Sequence, residues 1–358
     1  MRVLITGGAG FVGANLAIAL AGRHPDWQLV ALDNLHRRGS ELNLPRLADA
    51  GIEFVRADVR GGEALGEVHA PDIIIECSAE PSALAGFDGD TSYVYETNLT
   101  GAYNCLELAR RTGADLLFLS TSRVYPVAAL RDIALEERET RLEIAREQPI
   151  HGVSVDGISE DFPLEGARTL YGTTKLAAEL LIAEYADAFG LAAVVDRCGV
   201  IAGPWQMGRV DQGVFTYWML EHYFGRPLRY IGFGGTGKQV RDLLHVDDLT
   251  DLVDEQLADI GRWAGATVNV GGGRGCSLSL VETTDLCREL TGNEVPIEPD
   301  PETRPGDVPV YISDCARLAA RSDWRPQRDA RTILADIHAF IDANADNIDA
   351  VLGPGPGR

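Results

Sequence analysis

Lysine is almost missing from this 358-residue chain: thirty of its 32 basic residues are arginine, and only Lys175 and Lys238 remain. Acidic residues number 54, for a formal net charge of −22. So negative a surface repels phosphate backbones and anionic headgroups, which excludes general affinity for nucleic acid or an anionic membrane. An anionic ligand must then be met by local cations. Long apolar runs are also missing. No stretch approaches ~18 uninterrupted apolar residues, so no membrane span is expected. The six cysteines (Cys77, Cys105, Cys198, Cys276, Cys287 and Cys315) include no C-x-x-C pair. That spacing fits reduced thiols better than disulfides or zinc, and no metal site is expected. Met1 leads straight into a strand and a glycine turn, so no signal peptide is expected. The expected compartment is the cytoplasm.

What the chain does contain is alternation. Short β-branched runs at Val3–Ile5, Gln28–Leu32, Glu53–Val55, Asp72–Ile75, Leu116–Leu119 and Ala193–Asp196 read as strands. Between them Ala14–Ala21, Val94–Arg111 and Thr173–Phe189 carry apolar residues at helical spacing. Strands alternating with helices predict an α/β fold, a Rossmann-like doubly wound parallel sheet covered on both faces. A dinucleotide-binding domain is expected over residues 1–200, interrupted by a long acidic insertion at 128–168. A loop that long is usually functional or disordered. A smaller lobe is expected over 201–350, with 243–271 returning to the first domain. The Gly/Pro tail 353–358 is expected to fray.

Thr6-Gly7-Gly8-Ala9-Gly10-Phe11-Val12-Gly13 follows a strand and opens a helix. Gly7 permits the tight turn, Gly10 lets the backbone approach a pyrophosphate, and Gly13 allows close helix–strand packing. The pyrophosphate would sit on the helix N-terminus, beside Phe11 and Val12. Asp33, twenty residues beyond Gly13 and followed by Asn34, is placed to accept hydrogen bonds from a ribose hydroxyl. Its charge would repel a 2′-phosphate, so NAD is expected over NADP, although Arg37 and Arg38 stand nearby. Asp58 and Val59 are placed to meet the adenine. Tyr171 and Lys175, four residues apart, share one helix face. A cation beside a phenol stabilises phenolate and lowers its pKa from about 10, making tyrosine a general acid/base near neutral pH.

The strand Leu116–Leu119 runs into Ser120-Thr121-Ser122-Arg123-Val124-Tyr125, whose hydroxyls face the ligand crevice of such a sheet. With the glycine turn and the Tyr/Lys pair, this segment resembles the extended short-chain dehydrogenase/reductase family over nearly the whole chain. The resemblance implies that Thr121 holds the reacting sugar hydroxyl. It implies that Tyr171 and Lys175 are catalytic and that a C-terminal lobe binds a nucleotide sugar. Similar 4,6-dehydratases carry Asp and Glu directly after the threonine, where this chain has Ser122 and Arg123; similar decarboxylases carry a glutamate in this stretch. Elimination is therefore disfavoured, and epimerisation needs only the Tyr/Thr/Lys set. Arg241, within Gly237–Asp248, and Arg304, within Glu302–Asp307, match arginines that meet the substrate diphosphate, where guanidinium forks suit phosphate oxygens.

Glu139-Thr140-Arg141, Val210–Val214 with Gln212, and Gly237–His245 resemble most the CDP-tyvelose (CDP-paratose) 2-epimerases. The chain departs from that subgroup after the fourth strand. There it reads Glu76-Cys77-Ser78-Ala79-Glu80-Pro81-Ser82 in place of a His-Leu-Ala-Gly-Gln pattern. Ser78 and Ala79 are expected on the nicotinamide side, with Asn98 also on the cofactor. Glu80 either contacts a sugar hydroxyl or caps local backbone. Arg197-Cys198-Gly199-Val200 lacks the Asn that many 4-epimerases place there. The implied activity is NAD-dependent epimerisation of a nucleotide-activated hexose, C2 inversion of a CDP-sugar through a transient ketone. Ser122, Arg123, Gln212, Arg241, Arg304 and Glu80 are the substrate-side candidates. Competing readings are a 4-epimerase, a dehydrogenase, or a non-catalytic NAD-binding sensor. Helices Val94–Arg111 and Thr173–Phe189 match those that pair across a two-fold axis in the family, implying a homodimer.

Overall fold

The computed structural model describes residues 1–62, 65, 69–87, 89–209 and 212–352. The tail 353–358 and the Val210–Asp211 part of the stretch around Gln212 lie outside the described residues. Two compact units emerge. The first comprises Met1–Thr121, Leu170–Arg197 and Thr250–Thr267; the second comprises Ser122–Thr169, Cys198–Leu249 and Val268–Arg358. The chain thus passes between them five times. Of the expected returning segment, 243–249 and 268–271 fall in the second unit and 250–267 in the first.

Seven strands form the central sheet: β1 (Arg2–Thr6), β2 (Gln28–Asp33), β3 (Glu53–Arg56), β4 (Ile73–Glu76), β5 (Asp115–Thr121), β6 (Ala193–Cys198) and β7 (Ala266–Val270), in the order β7-β6-β5-β4-β1-β2-β3. This is the doubly wound sheet that the alternation predicts. Strands β1 to β5 pair in parallel, with Thr6 opposite Glu76 and Glu76 opposite Phe118. Helices cover a parallel sheet on both faces, so its strands read as continuous apolar runs. Ile73, Ile74 and Ile75 are all buried accordingly. Leu4, Val30, Ile74, Leu116 and Phe118 join Ala178 and Ile182 of helix Leu170–Phe189 in one core.

The helix expected over Val94–Arg111 is not continuous. A turn of α-helix at Ser92–Tyr95 passes into a π-turn at Glu96–Thr100, then into helix Gly101–Thr112. Such wide turns occur often at functional sites. This one carries Asn98, 1% exposed, toward the loop after β4.

The second unit has its own core, in which Trp218 and Met219 of helix Val214–Tyr223 meet Leu243, Leu334 and Ile341. Its sheet joins Val200–Ala202, Val240–His245, Ser277–Ser279 and Val310–Tyr311. The acidic insertion is ordered. It folds as two small hairpins, Leu135–Glu137 with Leu142–Ile144 and Val153–Ser154 with Gly157–Ile158. Thr140 Oγ1 donates to Glu282 Oε1 at 2.9 Å, and Arg141 Nη2 to Ser277 Oγ at 2.6 Å. Leu142 N–H donates to Lys238 O at 2.9 Å. The Glu-Thr-Arg stretch therefore clasps the insertion to the unit that contains it.

Candidate active site

The glycine turn is built as a cradle. Gly7 has φ +63°, and a Cβ there would lie 2.8 Å from Cys77 O; a Cβ on Gly13 would lie 2.3 Å from Gly7 O. Both neighbours are backbone and cannot yield. Gly8, which the spacing rule passes over, is equally required, because its Cβ would meet Ala31 Cβ at 2.7 Å. Gly10 caps helix Phe11–Arg23 without any side-chain partner. Phe11 and Val12, both half-buried, open that helix.

Asp33 ends β2 at 9% exposure, Oδ2 accepting from Ala9 N–H at 3.1 Å and Oδ1 from Leu35 N–H at 2.8 Å. Burial pushes its pKa up, against the pull of these backbone donors and Gly10 N–H. With three backbone donors on four lone-pair sites, the carboxylate keeps one lone pair for a further donor. Asn34 Nδ2 donates to Asp58 Oδ2 at 2.9 Å, and Arg60 grips the same carboxylate with Nε and Nη2. Burial raises the Asp58 pKa, but these hydrogen bonds outweigh it and hold the group at about 2. Val59 is buried against Gly101.

Beyond β4, Ser78 is buried and Ala79 half-buried. Asn98 does not stand alone. Its Oδ1 accepts Glu80 N–H at 2.7 Å, while Nδ2 donates to Glu80 O and Thr174 Oγ1, each at 3.2 Å. Thr174 Oγ1 in turn donates to Tyr171 O at 2.9 Å. The π-turn therefore ties the loop after β4 to the first turn of helix Leu170–Phe189, the turn that carries Tyr171. Glu80 Oε1 accepts Ser82 N–H at 3.0 Å, the local cap.

Thr121 ends β5 at 8% exposure, and Tyr171 is half-buried. Lys175, one turn on, is 2% exposed, with Nζ 3.8 Å from the Phe118 ring centre and 3.5 Å from Glu76 Oε2. Sequence reasoning overlooked Glu76 as a partner. The available signal was an acid closing an otherwise apolar strand. It also overlooked a buried cluster at Ser120, where Glu179 accepts Arg197 Nη2 at 2.7 Å and Nε at 3.1 Å and also binds Ser120 Oγ. Arg197, in the Arg-Cys-Gly-Val segment that the sequence singles out, is committed to Glu179.

In the second unit, Ser122, Arg123, Thr169, Arg241 and Tyr311 line one cleft. Arg123 Nη1 donates to Gly306 O at 2.9 Å. Arg241 donates to Val240 O at 2.8 Å and Val308 O at 2.7 Å. Desolvation, reinforced by the nearby charge of Arg123, lowers its pKa to about 10, so it stays cationic at neutral pH. Arg304 is half-buried in the neighbouring turn, its carbonyl accepting from Asp307 N–H and Arg131 Nη2. Gln212 is elsewhere, paired through its backbone with Arg209. Among the described residues no cluster of His, Cys, Asp and Glu could hold a metal. No described helix is long and apolar enough to cross a membrane.

The sequence profile of the "NAD dependent epimerase/dehydratase family" matches residues 3–271. The chain belongs to this family. Its cofactor is NAD, and the cradle at Gly7–Gly13 with Asp33 at the end of β2 fits that group. The chain is 30% identical to a CDP-paratose 2-epimerase from Salmonella typhi over 342 residues, 92% of this chain and 96% of the relative. It is 28% identical to a UDP-glucose 4-epimerase from Corynebacterium glutamicum, covering 98% of each. Among solved structures, UDP-glucuronic acid 4-epimerase from Bacillus cereus, in complex with UDP-glucuronic acid and NAD, superposes with a TM-score of 0.77 at 20% identity. That match covers 96% of this chain and 99% of the other. UDP-glucose 4-epimerase from Thermus thermophilus, complexed with NAD, gives 0.74 at 25% identity, covering 96% and 99%.

Proposed function

We propose that this family member inverts one stereocentre in the hexose of a nucleotide sugar, and that the carbon is C2 of a CDP-linked sugar. The observation that carries the reading is a buried Lys175 one helical turn from Tyr171, while Ser122 and Arg123 occupy the positions of the dehydratase acids. A 30% identity to a CDP-paratose 2-epimerase, in a match that covers 92% of the chain, supports C2 and the cytidine base.

In this reading the first unit holds the cofactor and the second the nucleotide sugar. Bound NAD supplies the acceptor and donor of hydride. Gly7, Gly10 and Gly13 receive the pyrophosphate, with Phe11 and Val12 behind them. Asp33 and Asn34 take the ribose, Asp58 and Val59 the adenine side, and Ser78 and Ala79 the nicotinamide side. Asn98 positions the Glu80 loop. Tyr171 removes the proton of the sugar hydroxyl and later returns it to the same oxygen. Thr121 holds that oxygen, and the Lys175 ammonium favours phenolate at Tyr171. Arg241 and Arg304 meet the diphosphate, and Ser122, Arg123, Gln212 and Glu80 the remainder of the substrate.

We further read the protein as a cytoplasmic homodimer. Helical segments 92–112 and 170–189 leave Tyr95, Tyr103 and Leu180 at 54%, 44% and 64% exposure, large apolar side chains suited to a two-fold contact. The catalytic assignment is tested by incubating wild type and Tyr171→Phe with CDP-paratose and following the sugar by NMR. Wild type should invert C2. The variant should keep bound NAD and lose at least a hundredfold in kcat. A variant turning over at the wild-type rate would overturn the assignment.

A further inference from the structure

Glu76 is the last residue of β4, with Ile73, Ile74 and Ile75 buried behind it, and it is itself 1% exposed. Its cross-strand neighbours are Thr6 on β1 and Phe118 on β5. Lys175 Nζ comes down from helix Leu170–Phe189 between the Phe118 ring and Glu76 Oε2. The other groups facing this carboxylate are the Ser78 N–H of its own loop and the thiols of Cys77 and, from helix Gly101–Thr112, Cys105. Glu76 Oε1 is buried without a hydrogen-bond partner. Among the described residues Lys175 has no other ion pair.

This is an expensive arrangement for a merely structural contact. A buried ion pair at 3.5 Å is longer than a good charge-assisted hydrogen bond, and one of its oxygens is unsatisfied. Apolar side chains of the same volume generally serve stability as well or better. A titratable pair held in that state one helical turn from the proposed acid–base tyrosine belongs to the chemistry more readily than to the core.

We propose that Glu76 is a positioning residue: its carboxylate holds the Lys175 ammonium in place, so the acid–base strength of Tyr171 is set by a buried Glu76–Lys175 pair and not by lysine alone. The proposal rests on the catalytic reading of Tyr171 and Lys175. Burial pushes the Glu76 pKa up, against Lys175 and the Ser78 N–H. As pH falls through that raised value Glu76 takes a proton and releases its hold on Lys175, and activity falls on the acid side.

The scarcity of lysine makes the pair directly observable. Wild type labelled with ε-¹³C lysine gives two signals, and Lys238→Arg identifies them. The Lys175 signal should show its own inflection as the pH is lowered, on a curve that Lys238 does not follow. In Glu76→Gln the signal should be displaced already at pH 8 and the inflection should vanish. With CDP-paratose as probe, kcat of that variant should fall about tenfold with KM within about twofold, and the acid limb should flatten. Glu76→Asp should restore the limb at a different pH. An unmoved Lys175 signal in Glu76→Gln, or a moved signal with wild-type kcat and pH profile, overturns the proposal. If Glu76→Gln fails to fold, a wild-type Lys175 signal lacking its own inflection does so. These lysine signals read the pair without reference to turnover, so they separate this proposal from the catalytic reading, which Tyr171→Phe tests.

Discussion

Replacing Arg197 by methionine leaves the Glu179 carboxylate buried without its cation. Both side chains are 7% exposed, and the guanidinium contributes hydrogen bonds at 2.7, 3.1 and 3.2 Å. Removing one partner of so enclosed a pair costs about 3–5 kcal/mol, because the remaining charge has lost both water and counter-charge. At roughly 2–4 °C per kcal/mol for a domain of 150–250 residues, melting should fall by about 6–20 °C. Adding Glu179→Gln should recover most of that loss. The amide oxygen still accepts from Ser120, and no charge remains to be buried. Thermal unfolding of wild type, both single variants and the double variant closes the cycle. A single variant melting within about 2 °C of wild type would refute the reasoning, as would a double variant less stable than Arg197→Met.

Three further outcomes follow from the same structure. Asp196 is fully buried, and burial raises its pKa from 3.8 to about 7 despite a hydrogen bond from Gln256. The protonated form is thus preferred by the folded state, and stability present below about pH 4 is lost as pH rises through about 7. Asp196→Asn should therefore stabilise at pH 8, and by less at pH 5; equal effects at both would contradict this. Purified protein should carry NAD with none added, and nucleotide analysis after denaturation checks it. Recovery of NADP would defeat the role of Asp33. Light scattering at micromolar concentration should give twice the 38.6 kDa chain mass, and a monomer would remove the proposed helix pairing.

The sheet was legible because parallel strands announce themselves as apolar runs, and the glycine turn because its spacing is dictated by backbone contact. Tyr171 and Lys175 were legible because i and i+4 share a helix face. What sequence withheld depends on partners far along the chain. Glu76 reads as a polar strand end until Lys175, 99 residues later, is found against it. Arg197 reads only as part of an Arg-Cys-Gly-Val segment until Glu179 is found against it. The π-turn at Glu96–Thr100 leaves no periodic mark, because one widened turn barely disturbs helical spacing. The length of the insertion leaves function and disorder both open, and it is the bonds of Thr140 and Arg141 to residues more than 130 positions away that pin it.

The central claim, inversion at C2 by removal and return of hydride, is tested most directly with CDP-paratose deuterated at C2 and incubated in ordinary water. Hydride returned to the carbon that lost it carries the label, whereas deprotonation beside a carbonyl exchanges it with solvent. Mass spectrometry of the epimerised product should find deuterium retained at C2. Wash-out to solvent would contradict the hydride mechanism, and inversion at C4 would contradict the assignment of the reacting carbon.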